Sequence, residues 1–154
     1  MREQTYDAEF ISAVADYLPG GFDWRIVKAQ AWQESRFDRT AVSPAGARGV
    51  MQIMPGTWDD LGGLDIEDPQ QNIELGVKYL SQMYEQWSWP RPEVDRICLA
   101  LASYNAGLGN ILKAQDLSGG KSGYADIIRE LDRVTGRHAT ETTEYVRKIT
   151  WFWI

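Results

Sequence analysis

Residues 69–87 read PQQNIELGVKYLSQMYEQW. Their apolar side chains recur at the spacing of one face of an α-helix: Ile73, Val77, Leu80, Tyr84 and Trp87. Asp68 followed by Pro69 is typical of a helix start, a capping residue and then a proline at the first helical position. The segment therefore predicts a long helix with one face in a hydrophobic core.

The rest of the chain is also helical in pattern. Strand-like alternation is nearly absent, Asp23 is suited to cap a helix, and Gly107 and Gly109 predict a turn. Six further helices are predicted: one around Phe10, Val14 and Leu18, and the others over 24–36, 55–62, 93–104, 124–134 and 140–153. We expect one all-α domain of about seven helices over residues 1–154. The aromatic end, 151–154, is expected to pack on the core, and the alternative is an exposed patch that contacts a partner or the outer membrane.

Composition excludes several classes of protein. The net charge of −6 argues against a nucleic-acid binder, which usually carries a basic patch. The single cysteine, Cys98, has no internal disulfide partner and is expected in the core, and the single histidine, His138, cannot build a His-rich metal site. No run approaches the roughly 20 apolar residues of a membrane span. The acidic N-terminus lacks the features of a secretory signal.

Glu34 stands out on the second predicted helix. Val27, Ala31 and Glu34 share one face, so an apolar stripe ends in a carboxylate near the helix C-terminus. Desolvation and the negative end of the helix dipole would both raise its pKa. A carboxyl that stays protonated near neutral pH can protonate a glycosidic oxygen. On spacing alone, the alternative is a solvated residue at a frayed helix end.

Four short motifs occur in one order along the chain. They are QESRF (33–37), AVSPAGARGVMQIMP (41–55), ASYNAG (102–107) and ETTEYV (141–146). Together they resemble the motifs of family 1 lytic transglycosylases, the soluble lytic transglycosylase catalytic domain. Two further details, the sequence DWR at 23–25 and the pattern YNxGxG at 104–109, are most similar to the catalytic module of membrane-bound lytic murein transglycosylase F. The resemblance implies an all-α, lysozyme-like fold of the goose-type lysozyme kind, with a substrate cleft.

The resemblance also implies a role for each matching residue of the first two motifs. Glu34 would be the catalytic acid and base, with Ser43 near it and near the N-acetyl group of the substrate. Gln52 would hydrogen-bond the sugar, and Met54 would form a wall of the cleft. Without the motif, the favoured explanation of Ser43 is a turn residue before Pro44.

The last two motifs imply four more substrate-binding residues. Tyr104 would reach the catalytic glutamate, and Asn105 would contact substrate or orient its loop. Glu141 and Tyr145, one helical turn apart, would line the cleft from the last helix. A helix-ending turn at residues 104–107 and a capping role for Glu141 are the structural alternatives.

By the same resemblance, Glu34 cleaves the β-1,4 bond between N-acetylmuramic acid and N-acetylglucosamine in peptidoglycan, leaving 1,6-anhydromuramyl ends and requiring no metal or other cofactor. The expected partner is the glycan strand, bound by a monomer. A muramidase that uses water, or a non-catalytic wall-binding or phage structural module, is the alternative. We expect either a phage endolysin, made in the host cytoplasm and then released to the periplasm and cell wall, or the periplasmic domain of a longer protein.

Overall fold

The computed structural model describes residues 6–88 and 90–152. Over these ranges the chain forms nine helices and no strand, only isolated bridges that pair Arg48 with Val42 and with Ile53. The helices are α1 (Asp7–Tyr17), α2 (Trp24–Ser35), α3 (Pro55–Asp60), α4 (Pro69–Gln86), α5 (Glu93–Ala106), α6 (Leu108–Leu117), α7 (Tyr124–Ile128), α8 (Asp132–Thr135) and α9 (His138–Thr150). The predicted all-α class is confirmed.

The chain divides into two compact units, Met1–Tyr79 and Leu80–Ile154. In the first, α1 packs against α2, and Phe10, Ile26 and Val27 are completely buried. Asp23 caps α2 as predicted, because its carboxylate accepts hydrogen bonds from the Arg25 backbone N–H (3.0 Å) and side chain (2.9 Å). The hydrogen bond from the Arg25 side chain lowers the pKa of Asp23.

The apolar face predicted for α4 is confirmed, since all five of its residues are buried. Trp87, just beyond the helix, is 1% exposed and donates its indole N–H to the Ser103 hydroxyl at 2.8 Å. That hydroxyl in turn donates to the Leu99 carbonyl at 2.7 Å. A buried indole thus has its hydrogen-bond partner on α5.

In the second unit, α5 is the central element and contacts α6, α7 and α9. Leu99 and Leu101 are completely buried, and Cys98 is 3% exposed, which confirms its predicted place in the core. Burial raises the pKa of the Cys98 thiol to about 12, because the thiolate would lose its hydration. The second unit is therefore organised around one apolar helix.

Two helix predictions in the second unit were wrong. Gly109 suggested a turn, yet α6 runs from Leu108 to Leu117 because Ile111 and Ala114 are fully buried, and their packing offsets the low helix propensity of glycine. The helix predicted over 124–134 is split into α7 and α8. Backbone hydrogen bonds between residues three apart, such as Leu131 N–H to the Ile128 carbonyl (3.1 Å), tighten the chain there.

The end of the chain also departs from expectation. Trp151 is 72% exposed and Phe152 41% exposed, so these two aromatic residues do not pack on the core as predicted. Trp153 and Ile154 lie outside the described residues, as does Trp89. None of the described helices has the length and apolar content needed to cross a membrane.

Candidate active site

Glu34 is the penultimate residue of α2 and is half-buried. It lies on the face of the helix that the core covers, since Val27 and Ala31 are both 0% exposed, as the stripe predicts. Gln30, one turn before Glu34 on the same side, is also completely buried. Glu34 is therefore not an exposed residue on the solvent side of its helix.

The end of α2 is held in place by specific contacts. The Ser35 hydroxyl donates to the Val50 carbonyl at 2.7 Å, and the Arg36 backbone N–H donates to the Trp32 carbonyl at 3.1 Å. Arg36 and Phe37 both adopt left-handed backbone conformations, which turn the chain sharply away from the helix. These bonds argue against the frayed-end alternative for Glu34.

Ser43 stabilises the loop that follows. Its hydroxyl accepts a hydrogen bond from the Ala47 N–H at 3.0 Å, and its own N–H donates to the Ala47 carbonyl at 2.9 Å. The turn role considered for Ser43 is thus confirmed. A hydroxyl also has a hydrogen to donate, so this turn role leaves room for a contact with substrate.

Gln52 has a constrained backbone and a constrained side chain. Its φ of 51° places it in the left-handed region, which is uncommon outside glycine. Its amide nitrogen donates to the carbonyls of Ala41 (3.1 Å) and Gly49 (2.9 Å). Both amide hydrogens are engaged with the loop, so the group left to face a ligand is the carbonyl oxygen, an acceptor for sugar hydroxyl or N–H groups.

Two methionines of the second motif have different environments. Met51 is completely buried, whereas Met54 is 44% exposed, as a wall residue would be. The Met51 N–H donates at 2.7 Å to the side chain of Asn72, which is itself fully buried. A Cβ on Gly49 would lie 2.3 Å from the Asn72 amide nitrogen, so this close approach requires glycine.

In the second unit, Tyr104 and Asn105 lie in the last turn of α5 and are half-buried. Gly107, with a φ of 91°, ends that helix, which confirms the predicted helix-ending turn. The Thr142 hydroxyl on α9 donates to Asn105 Oδ1 at 2.8 Å. This bond fixes the oxygen of the amide toward α9 and leaves the NH₂ group as the donor for other partners.

A cavity of about 390 Å³ opens at the ends of these helices. Its lining is mainly polar: Asn105, Ala106, Asn110, Val134, Thr135, His138, Glu141 and Thr142. Two predicted site residues, Asn105 and Glu141, are thereby brought to one cavity. Amide, hydroxyl, imidazole and carboxylate groups around one space are suited to a ligand rich in hydrogen-bonding groups.

Glu141 and Tyr145 differ in exposure although they lie one turn apart on α9. Glu141, in the first turn of the helix, has a side chain that is 72% exposed, with His138 Nδ1 at 3.9 Å from its carboxylate. Tyr145 is 8% exposed. Glu141 is therefore accessible to a ligand. Its carboxylate lies in the first turn of α9, where the helix dipole stabilises a negative charge.

The eight predicted site residues fall into two groups. Four belong to the first unit (Glu34, Ser43, Gln52 and Met54) and four to the second (Tyr104, Asn105, Glu141 and Tyr145). Within residues 6–88 and 90–152, no three His, Cys, Asp or Glu side chains come together as a possible metal site.

The sequence over residues 18–127 matches the family model described as the transglycosylase SLT domain. That is most of the chain. The chain belongs to the transglycosylase SLT domain family. The resemblance to family 1 lytic transglycosylases is confirmed, and the match covers the first three motifs but ends before the fourth, at 141–146.

Relatives of this SLT domain include membrane-bound lytic murein transglycosylase F from two organisms. The Yersinia pestis (strain Pestoides F) protein is 36% identical over 127 residues, which cover 76% of this chain and 26% of the relative. The Pectobacterium atrosepticum protein is 33% identical over 149 residues, covering 87% and 31%. The chain thus spans only about a quarter to a third of the length of these relatives.

Solved structures share the fold of this SLT domain. The 70 kDa soluble lytic transglycosylase of Escherichia coli superposes with a TM-score of 0.71 at 26% identity, over 96% of this chain and 24% of that one. An inactive glutamate-to-glutamine mutant of lytic transglycosylase Slt from Pseudomonas aeruginosa matches with a TM-score of 0.66 at 27% identity, over 94% and 24%. The lysozyme-like, all-helical fold expected from the motifs is confirmed.

Sequence reasoning missed three residues that shape the site of this SLT domain. Asn72 and Thr142 orient Met51 and Asn105 through buried side chains. Gln30 is a buried polar residue one turn from Glu34. Gln30 alone left a signal in the sequence, as a polar residue within the apolar face of α2; the partners of Asn72 and Thr142 are distant in the chain.

Proposed function

We propose that this chain is a lytic transglycosylase that cleaves the β-1,4 bond between N-acetylmuramic acid and N-acetylglucosamine in peptidoglycan. Membership of the SLT domain family supports the reaction class. The observation that carries the assignment of the catalytic residue is the position of Glu34, half-buried on the core side of α2 at a helix end anchored by Ser35.

Glu34 performs both proton transfers. Its protonated carboxyl donates to the glycosidic oxygen, which leaves as the 4-hydroxyl of N-acetylglucosamine while the C1–O bond breaks. The muramyl 2-acetamido group stabilises the positive charge that develops at C1. The Glu34 carboxylate then removes the proton from the muramyl 6-hydroxyl as that oxygen bonds to C1. The products are a shortened strand and a 1,6-anhydromuramyl end, with no water consumed.

The other site residues bind and orient the glycan strand. The carbonyl oxygen of Gln52 accepts from a sugar hydroxyl or N–H group, and Ser43 and Met54 contact the substrate from the same loop. Asn105 offers its NH₂ group, and Glu141 its carboxylate, to the part of the substrate that enters the polar cavity. Tyr104 and Tyr145 complete the proposed set of substrate-binding side chains.

Muropeptide analysis tests the proposal. Wild-type protein should release products one water lighter than those of a muramidase, as seen by mass spectrometry of digested peptidoglycan. Glu34→Gln, which keeps the size of the side chain but cannot donate a proton, should lower the rate by at least about a thousandfold while the melting temperature changes little. The matched control is Glu85→Gln, the same change at an exposed position of α4.

Each outcome has a distinct meaning. Products that contain the extra water would show that the protein is a muramidase of the same fold and not a transglycosylase. Absence of cleavage by wild type would favour a non-catalytic wall-binding or phage structural module. Full activity in a folded Glu34→Gln variant would overturn the assignment of Glu34.

The cellular setting we propose is degradation of the cell wall, in phage-induced lysis or in wall remodelling, with a monomer as the acting species. Light scattering on purified protein tests whether the protein is a monomer in solution. Clearing of isolated cell walls by protein added from outside tests wall degradation, and a protein that leaves the turbidity unchanged would contradict it.

A further inference from the structure

The polar cavity of the second unit carries a charge that the proposed reaction does not explain. Among the described residues that line it, only His138 and Glu141 can be charged, and an imidazole is a cation only when it is protonated. The Glu141 carboxylate therefore gives the lining its negative charge. Its one ion-pair partner among the described residues is His138 Nδ1, at 3.9 Å, so no lysine or arginine neutralises it.

The neutral side chains of the cavity use their donors within the protein. The Asn110 NH₂ group donates to the Ala106 carbonyl at 2.7 Å, and the Thr135 hydroxyl donates to the Leu131 carbonyl at 3.2 Å. The oxygens of both side chains remain as acceptors. Asn105 differs, because its NH₂ group is the donor that stays available. The lining thus offers mainly hydrogen-bond acceptors beside one carboxylate.

The helix ends at the cavity leave this polarity in place. Asn105 and Ala106 are the last residues of α5, so the negative end of that helix dipole lies at the cavity and favours a cation. α9 begins at His138 with the opposite, positive end. The Glu141 carboxylate, in the first turn of α9, offsets that positive end.

The set of ligand groups indicates which kind of cation fits. Ca²⁺ is usually held by about six to eight oxygen ligands, carboxylates prominent among them. In the described part of the chain no three His, Cys, Asp or Glu side chains come together. A primary ammonium group has three N–H donors, which one carboxylate and neutral oxygens can satisfy. A cavity of about 390 Å³ also has room for the carbon atoms that carry the ammonium group.

We propose that this cavity is a subsite for a primary ammonium group of the substrate, held by the Glu141 carboxylate, the Asn110 amide oxygen and the Thr135 hydroxyl oxygen. The choice of ligand rests on the proposed function, because it takes peptidoglycan as the substrate. Two parts of peptidoglycan can carry such a group. One is the diamino acid of a peptide stem, and the other is a glucosamine that has lost its acetyl group.

Calorimetric titration of the Glu34→Gln protein tests the subsite, since this variant should hold fragments without cleaving them. The first pair of probes is a disaccharide–tripeptide that ends in lysine and the same fragment acetylated on the lysine amine, which removes the charge. The second pair is chitotetraose with one acetyl group removed and intact chitotetraose. In one pair, the acetylated probe should have a Kd about fivefold higher, as expected for a favourable but exposed ion pair.

Variants of the cavity test the charge and a neutral acceptor separately. Glu141→Gln keeps the size of the side chain and should reduce the effect of acetylation to less than about twofold. Thr135→Val keeps the shape of the side chain and should reduce the effect part of the way, and it replaces Glu141→Gln as the test if that variant does not fold. Each effect is a ratio of two Kd values within one variant, so a general loss of affinity does not alter it.

Glu144→Gln is the matched control. Glu144 lies one turn further along α9, pairs with Arg147 at 2.7 Å and does not line the cavity. This change removes the same charge from the same helix, but the effect of acetylation should stay at about fivefold.

A preference for the free amine that depends on Glu141 supports the subsite, and the pair of probes that shows it identifies the source of the ammonium group. An effect below about twofold in both pairs overturns the inference, and so does an effect that persists in Glu141→Gln. The titrations need no cleavage. If wild type cleaves no peptidoglycan, the proposed function fails, while the titrations still report whether the cavity binds an amine.

Discussion

Replacing Gly49 by alanine tests how the loop that carries Gln52 is held. The new methyl group would lie 2.3 Å from the amide nitrogen of Asn72, and the backbone there has a φ of 82°. The left-handed conformation costs an alanine about 1–2 kcal/mol. The contact is more costly, because Asn72 must move away from the groups that it binds.

The size of that second cost follows from the hydrogen bonds of Asn72. Its amide oxygen accepts from the buried Met51 N–H at 2.7 Å, and its nitrogen donates to the carbonyls of Ile66 (3.0 Å) and Arg48 (3.2 Å). The Arg48 carbonyl keeps a second donor, Ile53 N–H at 3.0 Å. Two hydrogen bonds are then lost, at a cost of about 2–3 kcal/mol for the one from the buried Met51 N–H and about 1 kcal/mol for the one to the Ile66 carbonyl.

A double-mutant cycle by urea denaturation measures both terms. Asn72→Ala alone should lower the free energy of unfolding by about 3–4 kcal/mol, and Gly49→Ala alone by about 4–6 kcal/mol. The double variant should lose only about 5 kcal/mol, since the displaced side chain is already absent, which leaves a coupling of about 3. Additive losses would refute the idea that the methyl group acts by displacing Asn72.

Two further predictions concern the second unit. Thr142→Val removes the donor that fixes the Asn105 amide, so KM for glycan strands should rise several-fold and the free energy of unfolding should fall by about 1–2 kcal/mol. Thr142→Ser keeps the hydroxyl and should leave both values close to those of wild type. An unchanged KM in the valine variant would contradict this prediction. Alkaline pH should destabilise the fold through Cys98. Burial raises the pKa of its thiol from 9.0 in the unfolded chain to about 12 in the folded one. The free energy of unfolding should therefore fall as the pH rises from 9.0 towards 12, because only the unfolded chain then loses this proton. Urea denaturation at pH 8 and 10.5 should show that Cys98→Ala loses about 2 kcal/mol less than wild type between the two, and equal losses would contradict the assignment.

Local patterns in the sequence determined the helical architecture. The face of α4, the Asp23 cap and the buried stripe that leads to Glu34 are properties of residues close together in the chain, and helices form through contacts of that range. The family resemblance likewise depended on contiguous motifs. The predicted helix positions were wrong where a local signal, such as Gly109 in α6, was outweighed by the burial of neighbouring side chains.

The tertiary structure alone decided how the site side chains are oriented. The two carbonyls that engage the Gln52 amide, the side chain that limits Gly49 to glycine and the hydroxyl that orients Asn105 come from residues up to 37 positions away. It also showed that Gln30 is buried with its amide unpaired among the described residues. Periodicity reports which face of a helix is covered, but a hydrogen bond requires two groups at a defined distance and angle, and only the folded chain sets both.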